Sequence, residues 1–132
     1  MKYMAMIWTE WKDEQEPDAD EAVRYREFAA DAAREGVLAG GDALHHPSAA
    51  TTVRVRDEQD LLTDGPFAET KEQLAGYYIL DCEDLDEALA WAARIPTACA
   101  GRIGCVEIRP IREFPQSIST SGVHQAAAVR ED

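Results

Sequence analysis

Cysteine is scarce in this 132-residue chain: Cys82, Cys99 and Cys105 are the whole set, an odd number with no Cys-x-x-Cys pair. That argues against a disulfide scaffold and against a zinc ribbon. A Cys99–Cys105 bridge is sterically conceivable, but free thiols are the expectation. Long apolar runs are missing too, and none approaches the roughly 18 residues a membrane span needs. The opening MKYMAMIW runs into Thr9-Glu10-Trp11-Lys12 with no small-residue cleavage site, so it reads as a strand and not a signal peptide, and a cytoplasmic protein is expected. Positive charge is in short supply: 13 Lys and Arg stand against 26 Asp and Glu, for a net charge of −13. Phosphate backbones and anionic membrane surfaces both demand the opposite balance, so neither nucleic acid nor membrane is expected as a partner. No phosphate loop or dinucleotide fingerprint is present, since Gly40-Gly41 is not followed by a helix. No Cys/His spacing suits zinc, so neither a metal nor a nucleotide cofactor is expected.

What is there fits one domain. The chain is 45% apolar and 30% charged, ordinary for a globular protein. Residues 2–8 are apolar on both alternating sets, as in a strand buried on both faces. Asp18 with Glu21 resembles an acidic capping box, and Ala22, Tyr25, Phe28, Ala29 and Ala32 then mark a helix over 19–35, stopped by Gly36. A strand over 37–44 is weakened or bulged at Gly40-Gly41 and ends at His45-His46-Pro47. Thr51–Arg56 alternates and is β-branched, and after the turn at Asp57–Asp60, Leu61-Leu62-Thr63 pairs back as a hairpin. Glu69–Leu74 fits one short helical turn. Residues 76–82 form the next strand. Asp84 caps a second helix with Glu87 three residues on, and Pro96 stops it. A last strand covers 105–111. From about 115 the Ser-, Thr-, Gln- and Ala-rich sequence has no periodicity and reads as a mobile tail.

The order is β-α-β, hairpin, β-α-β: an α+β, ferredoxin-like split βαβ duplication over 1–114 with a β-hairpin inserted at its middle. Helices cover only one face of such a sheet. The first and third core strands are apolar on both faces, so a second copy is expected against the open face, giving a homodimer.

Candidate chemistry centres on DGPFAETKEQLAGYYILD, residues 64–81. Asp64 before Gly-Pro is either an Asx-turn that caps its own backbone or a carboxylate held at a cleft mouth as a general base. Glu69, Lys71 and Glu72 are a solvated ionic face or a substrate-orienting group. Tyr77 and Tyr78 alternate, so one meets the helices and the other the opposing sheet or cleft; Tyr78 is kept as a substrate-binding candidate. Arg109 shares a strand face with Glu107, for an ion pair or for a cleft. His45 and His46 are loop histidines or proton carriers; being adjacent, they cannot readily chelate one metal without a third ligand such as Asp42 or Asp64.

That central motif, with MKYMAMIW, TTVRVRD, DLDEALAWAARIP and VEIRPIREF, resembles the YCII-related family in its DGPF-motif branch, over about residues 1–114. The resemblance implies a dimeric α/β barrel built on a ferredoxin-like chain. It also implies kinship with small enzymes of aromatic and lactone chemistry that use a His–Asp pair, and an association with extracytoplasmic-function sigma factors. The family's proposed catalytic histidine follows the first strand, where this chain has Thr9-Glu10-Trp11-Lys12 and no His.

Two readings result. One is a cofactor-free enzyme doing acid–base chemistry in a dimer cleft on a small aromatic, lactone or carbonyl substrate. Asp64, His45 and His46 would be catalytic, and Glu69, Lys71, Tyr78 and Arg109 would bind substrate. The other is a non-catalytic ligand-binding or regulatory module, with a sigma factor among its partners. An enzyme predicts a pocket of convergent polar groups around Asp64; a partner module predicts Asp64 exposed or purely turn-forming, with an apolar patch elsewhere on the dimer surface.

Overall fold

A computed structural model describes residues 1–11, 19–97 and 103–114. The element order is β1 (Lys2–Glu10), α1 (Ala19–Arg34), β2 (Leu38–Ala43), a 3-10 turn (Pro47–Ala49), β3 (Thr51–Arg56), β4 (Gln59–Asp64), β5 (Glu72–Asp81), α2 (Leu85–Ala92) and β6 (Gly104–Pro110). Four strands form an antiparallel sheet in the order β2-β5-β1-β6, an α+β arrangement that fits the ferredoxin-like fold. Between β2 and β5 the chain makes a separate two-stranded sheet, β3-β4.

The pleat sorts β1 into two sets. Tyr3, Ala5, Ile7 and Thr9 are buried, while Met4, Met6, Trp8 and Glu10 are partly exposed. The buried set joins Leu80 of β5, Phe28 and Ala32 of α1, and Ala88 of α2 in one core. Phe28 ties the layers together, with its ring centroid 5.0 Å from Tyr78 and 6.2 Å from Trp91. Arg94, just past α2, donates to Asp31 of α1 at 2.8 Å and lies 4.3 Å over the Trp91 ring. Both helices therefore cover one face, and no helix among the described residues covers the other.

Local chemistry sets the ends. Asp84 accepts from the Glu87 N–H at 2.9 Å, and the Glu87 carboxylate accepts from the Glu83 N–H at 3.4 Å, a reciprocal cap one residue off the usual pairing. The β3-β4 turn falls on Asp57 and Glu58, both at positive φ (52° and 64°), the geometry of a tight two-residue hairpin loop. At the weakened end of β2 the register with β5 slips between Leu38 and Gly40. Cys82 and Cys105 are free thiols. The expected cap at Asp18, Cys99 and the tail from 115 lie outside the described residues.

One local expectation is overturned: Glu69–Leu74 is not helical. Residues 66–71 run as an irregular loop with bends at Phe67, Ala68 and Lys71, and β5 begins at Glu72, paired with Glu10. Side chains replace the helical hydrogen bonds here. Gln73 Nε2 donates to the Thr70 carbonyl at 3.0 Å and more weakly to the Ala68 carbonyl at 3.4 Å, and the Thr70 hydroxyl donates to the Glu72 carbonyl.

Candidate functional site

β5 carries an irregularity that shapes everything around it. Ile7 is opposite Gly76 but Trp8 is opposite Leu74, so Ala75 is an extra, bulged residue. Its carbonyl accepts from the Leu44 N–H at 2.9 Å. Cα partners in an antiparallel pair share a face, so the bulge turns Leu74 to the open face beside Trp8, while Gly76 stays on the helix side. Gly76 is needed for a second reason: a Cβ there would lie 2.8 Å from the Asp42 carbonyl oxygen, so only glycine lets β2 approach.

On the open face, Trp8 and Leu74 are part of the wall of a cavity of about 510 Å³ that His45, His46, Pro66 and Phe67 complete. The Pro66–Thr70 loop is fastened at both ends. At the first, Gly65 takes φ +93°, which favours glycine, its N–H donates to the Ala50 carbonyl at 2.7 Å, and its carbonyl accepts from the Thr52 hydroxyl at 2.9 Å. At the second, Gln73 holds it as described above. His46 is oriented as well. Its Nδ1 accepts from the Ser48 N–H at 3.1 Å, which leaves the neutral ring's proton on Nε2, and its ring meets Trp11 edge-on at 5.1 Å.

The remaining sequence candidates scatter. Asp64 is exposed at the end of β4, opposite Thr51, and does not line this cavity. The turn after it is held by the Gly65 backbone, not by its carboxylate. Glu69 and Lys71 are exposed on the loop. Tyr78 faces the helices, where burial pushes its hydroxyl above the usual tyrosine range. Its neighbour Tyr77 donates to Asp42 Oδ2 at 2.8 Å, and that carboxylate, by hydrogen bond and by charge, raises it likewise. Arg109 pairs with Glu107 Oε2 at 3.2 Å, and Glu107 Oε1 accepts from Trp8 Nε1 at 3.1 Å. Arg109 is registered to Met4, roughly 13 Å along the strand from Trp8, so it stands apart from the histidines. Burial and then nearby acids push both the Cys82 and Cys105 thiols up, holding them protonated and weakly nucleophilic.

The structure thus brings together His45, His46 and the Gly-Pro-Phe segment and separates them from Asp64, Tyr78 and Arg109. Sequence reading missed Trp8, Thr52, Thr70 and Gln73 as walls and fasteners. The signal for Gln73 was its place among charged residues just before an apolar strand. Among the described residues there is no group of three or more His, Cys, Asp or Glu arranged to hold a metal ion, and no helix is long and apolar enough to cross a membrane.

The YCII-related domain model matches residues 1–115 of this chain. An uncharacterized protein of Rhizobium meliloti (strain 1021) is 47% identical over 64 residues, a match that spans 48% of this chain and 51% of the relative.

Proposed function

This chain belongs to the YCII-related family, and we propose that it is a cofactor-free enzyme acting on a small carbonyl compound, a lactone or an aromatic enol or ketone, in the open-face cavity. The Asp64-Gly65-Pro66-Phe67 motif supports a place in the family's DGPF-motif branch. The observation that carries the functional reading is the convergence of an oriented His46, His45 and the fastened Pro66-Phe67 loop on one mostly apolar cavity of ligand size. With Nδ1 occupied by the Ser48 N–H, neutral His46 is a donor at Nε2, suited to polarising a carbonyl as its charge develops. His45, exposed at the rim, is the group assigned to move the proton. Trp8, Leu74 and Phe67 supply the apolar body that holds a flat substrate. Asp64 has no contact in this cavity, so the reading rests on the histidines.

A homodimer belongs to the same proposal. Met4, Met6, Trp8 and Ile79 form a half-exposed apolar strip on the uncovered sheet face, continuous with the cavity wall at Trp8. A second copy set against it would close the cavity from above.

A thermal-shift screen of lactones, phenols, quinones and small keto acids tests the reading. A ligand at a hundred times its dissociation constant adds about 2.7 kcal/mol, several degrees for a domain of this size. The expected result is a hit on the wild type that disappears in His46→Gln and weakens in Gln73→Ala, where the loop is unfastened. A shift undiminished in His46→Gln, or no shift with any compound, would sink it.

One observation favours the second reading, a partner-binding module. Val53, Val55 and Leu62 share a face of the β3-β4 hairpin and are 59%, 71% and 71% exposed. With Asp64 exposed beside them, this arm suits a protein partner, a sigma factor in the expectation the resemblance carries. Loss of a pulled-down partner in Val55→Ser/Leu62→Ser, with no ligand found in the screen, would favour it.

A further inference from the structure

The open-face cavity is particular about charge. Among its described lining residues there is no Asp, Glu, Lys or Arg, and Trp8, Leu44, Pro47, Pro66, Phe67 and Leu74 supply apolar wall. The polar side chains of the lining are committed to the protein itself, the imidazoles excepted. Thr52 donates to the Gly65 carbonyl, Thr70 to the Glu72 carbonyl, and the Gln73 carboxamide to the Thr70 and Ala68 carbonyls. A carboxylate needs several donors at once and an ammonium several acceptors, and an ion taken from water without them costs far more than a neutral group. His46, with one N–H at Nε2, matches a carbonyl oxygen instead.

The surroundings discourage anions further. Glu10 and Glu72 are Cα partners across β1 and β5, two residues or roughly 7 Å along from Trp8 and Leu74 on the same face. Glu69 is exposed on the loop between the wall residues Ala68 and Thr70; Lys71 is exposed there too and offsets one of these charges. In a chain of net charge −13, a cleft bordered mainly by one sign repels ligands of that sign. Phe67 supplies the attraction. It lines the cavity yet is 80% exposed, on the loop fastened at both ends. Most of its ring surface is left for a ligand to bury, and holding the ring in place beforehand removes an ordering cost from binding.

We propose that this cavity selects uncharged aryl carbonyl compounds over their ionised congeners, with Phe67 as the residue that sets the preference for an aryl group. The inference rests on the enzymatic reading for the use of the site and narrows its substrate class: aryl ketones and aryl lactones are taken, keto acids and ring-opened hydroxy acids refused.

The test is a ¹⁵N-HSQC titration of the full chain at pH 8 with three compounds of one shape: 4-phenylbutan-2-one, 3-phenylpropanoate, and 4-phenylbutan-2-amine as its ammonium. The expected result is saturable shifts of the Phe67 and Gln73 amides, with the ketone bound at least about tenfold more tightly than either ion. Phe67→Ser should weaken the ketone by about tenfold with no change in thermal midpoint, because so exposed a ring contributes little to the fold. Ala49→Lys, which adds a base to the wall at an exposed position, should bring 3-phenylpropanoate to within about threefold of the ketone. Either ion bound as tightly as the ketone by the wild type, ketone binding unchanged in Phe67→Ser, or no saturation by the ketone up to about 10 mM would overturn the proposal. His46→Gln keeps the two failures apart. Ketone binding that depends on Phe67 but not on His46 leaves the charge selection standing and sinks the enzymatic reading; binding that depends on His46 with no preference for the ketone does the reverse.

Discussion

The two faces of the four-stranded sheet are built from the same strands and from residues of similar apolarity, yet they have opposite fates. On one face Tyr3, Ala5 and Leu80 are at most 2% exposed beneath two helices. On the other, Met4, Met6, Trp8 and Ile79 remain partly exposed, and the polar groups among them, Glu107 and Arg109, pair along the surface. The pleat assigns residues to faces, but it does not say what covers a face. The helix side is closed by local sequence, through α1 and α2. The open side has no helix over it among the described residues, only the loop segments that wall the cavity at its β2 end. Each face has a cavity at the β2 end, and the two differ in kind: histidines and a fastened loop on the open side, aromatic rings and apolar side chains on the covered one.

Substitution at the centre of each face sharpens the contrast. Leu80→Ala removes a side chain that is 0% exposed, and unfolding by urea should show a loss of about 2–5 kcal/mol. Met6→Glu, on the open face opposite Tyr77 and Glu107, should leave protomer unfolding within about 0.5 kcal/mol. Its effect should appear in sedimentation or light scattering instead. An unpaired charge in a closed interface costs several kcal/mol, so association should weaken by about a hundredfold or more. The comparison breaks if the wild type is monomeric at every concentration, or if Met6→Glu loses as much stability as Leu80→Ala.

Much of this architecture was legible in residue order. Helix α1 ends within a residue of the 19–35 expected, because its stripe and Gly36 are local signals. The Asp84 cap, the hairpin and the slip at Gly40 were legible for the same reason. The short helix expected at Glu69–Leu74 was not realised, since its charge spacing says nothing of a Gln73 carboxamide reaching back to Thr70 and Ala68. The site was legible only in part. Asp64 drew attention, but Gly65 is the residue that fastens the turn, through partners at positions 50 and 52 that are distant in sequence. Tyr78 and His46 were grouped together. A strand's alternation turns Tyr78 to the helices, while His46 lies in the cavity beside Leu74, which a bulge at Ala75 turns to the other face, and a one-residue bulge has no reliable signature in a single sequence. Glu21 read as half of a cap, and its burial beside a cavity depends on how the helix docks.

The smallest expected effect distinguishes the faces through adjacent tyrosines. Both hydroxyls are raised above the ordinary tyrosine value, Tyr77 first by its hydrogen bond to Asp42 and Tyr78 by burial. A raised value means that the folded protein keeps a proton the unfolded chain gives up above about pH 10. That contribution to stability is fully present below pH 10 and is lost as pH rises through the folded value. Urea midpoints measured from pH 8 to 11 should therefore fall less steeply for Tyr78→Phe than for wild type, by an amount smaller than either change above, with little difference at pH 8. Tyr77→Phe should flatten the same limb but also lower the midpoint at pH 8, because it breaks the bond to Asp42. An alkaline limb in Tyr78→Phe as steep as the wild type's would mean that the Tyr78 hydroxyl is well hydrated, and that the covered face is not sealed from water at this residue.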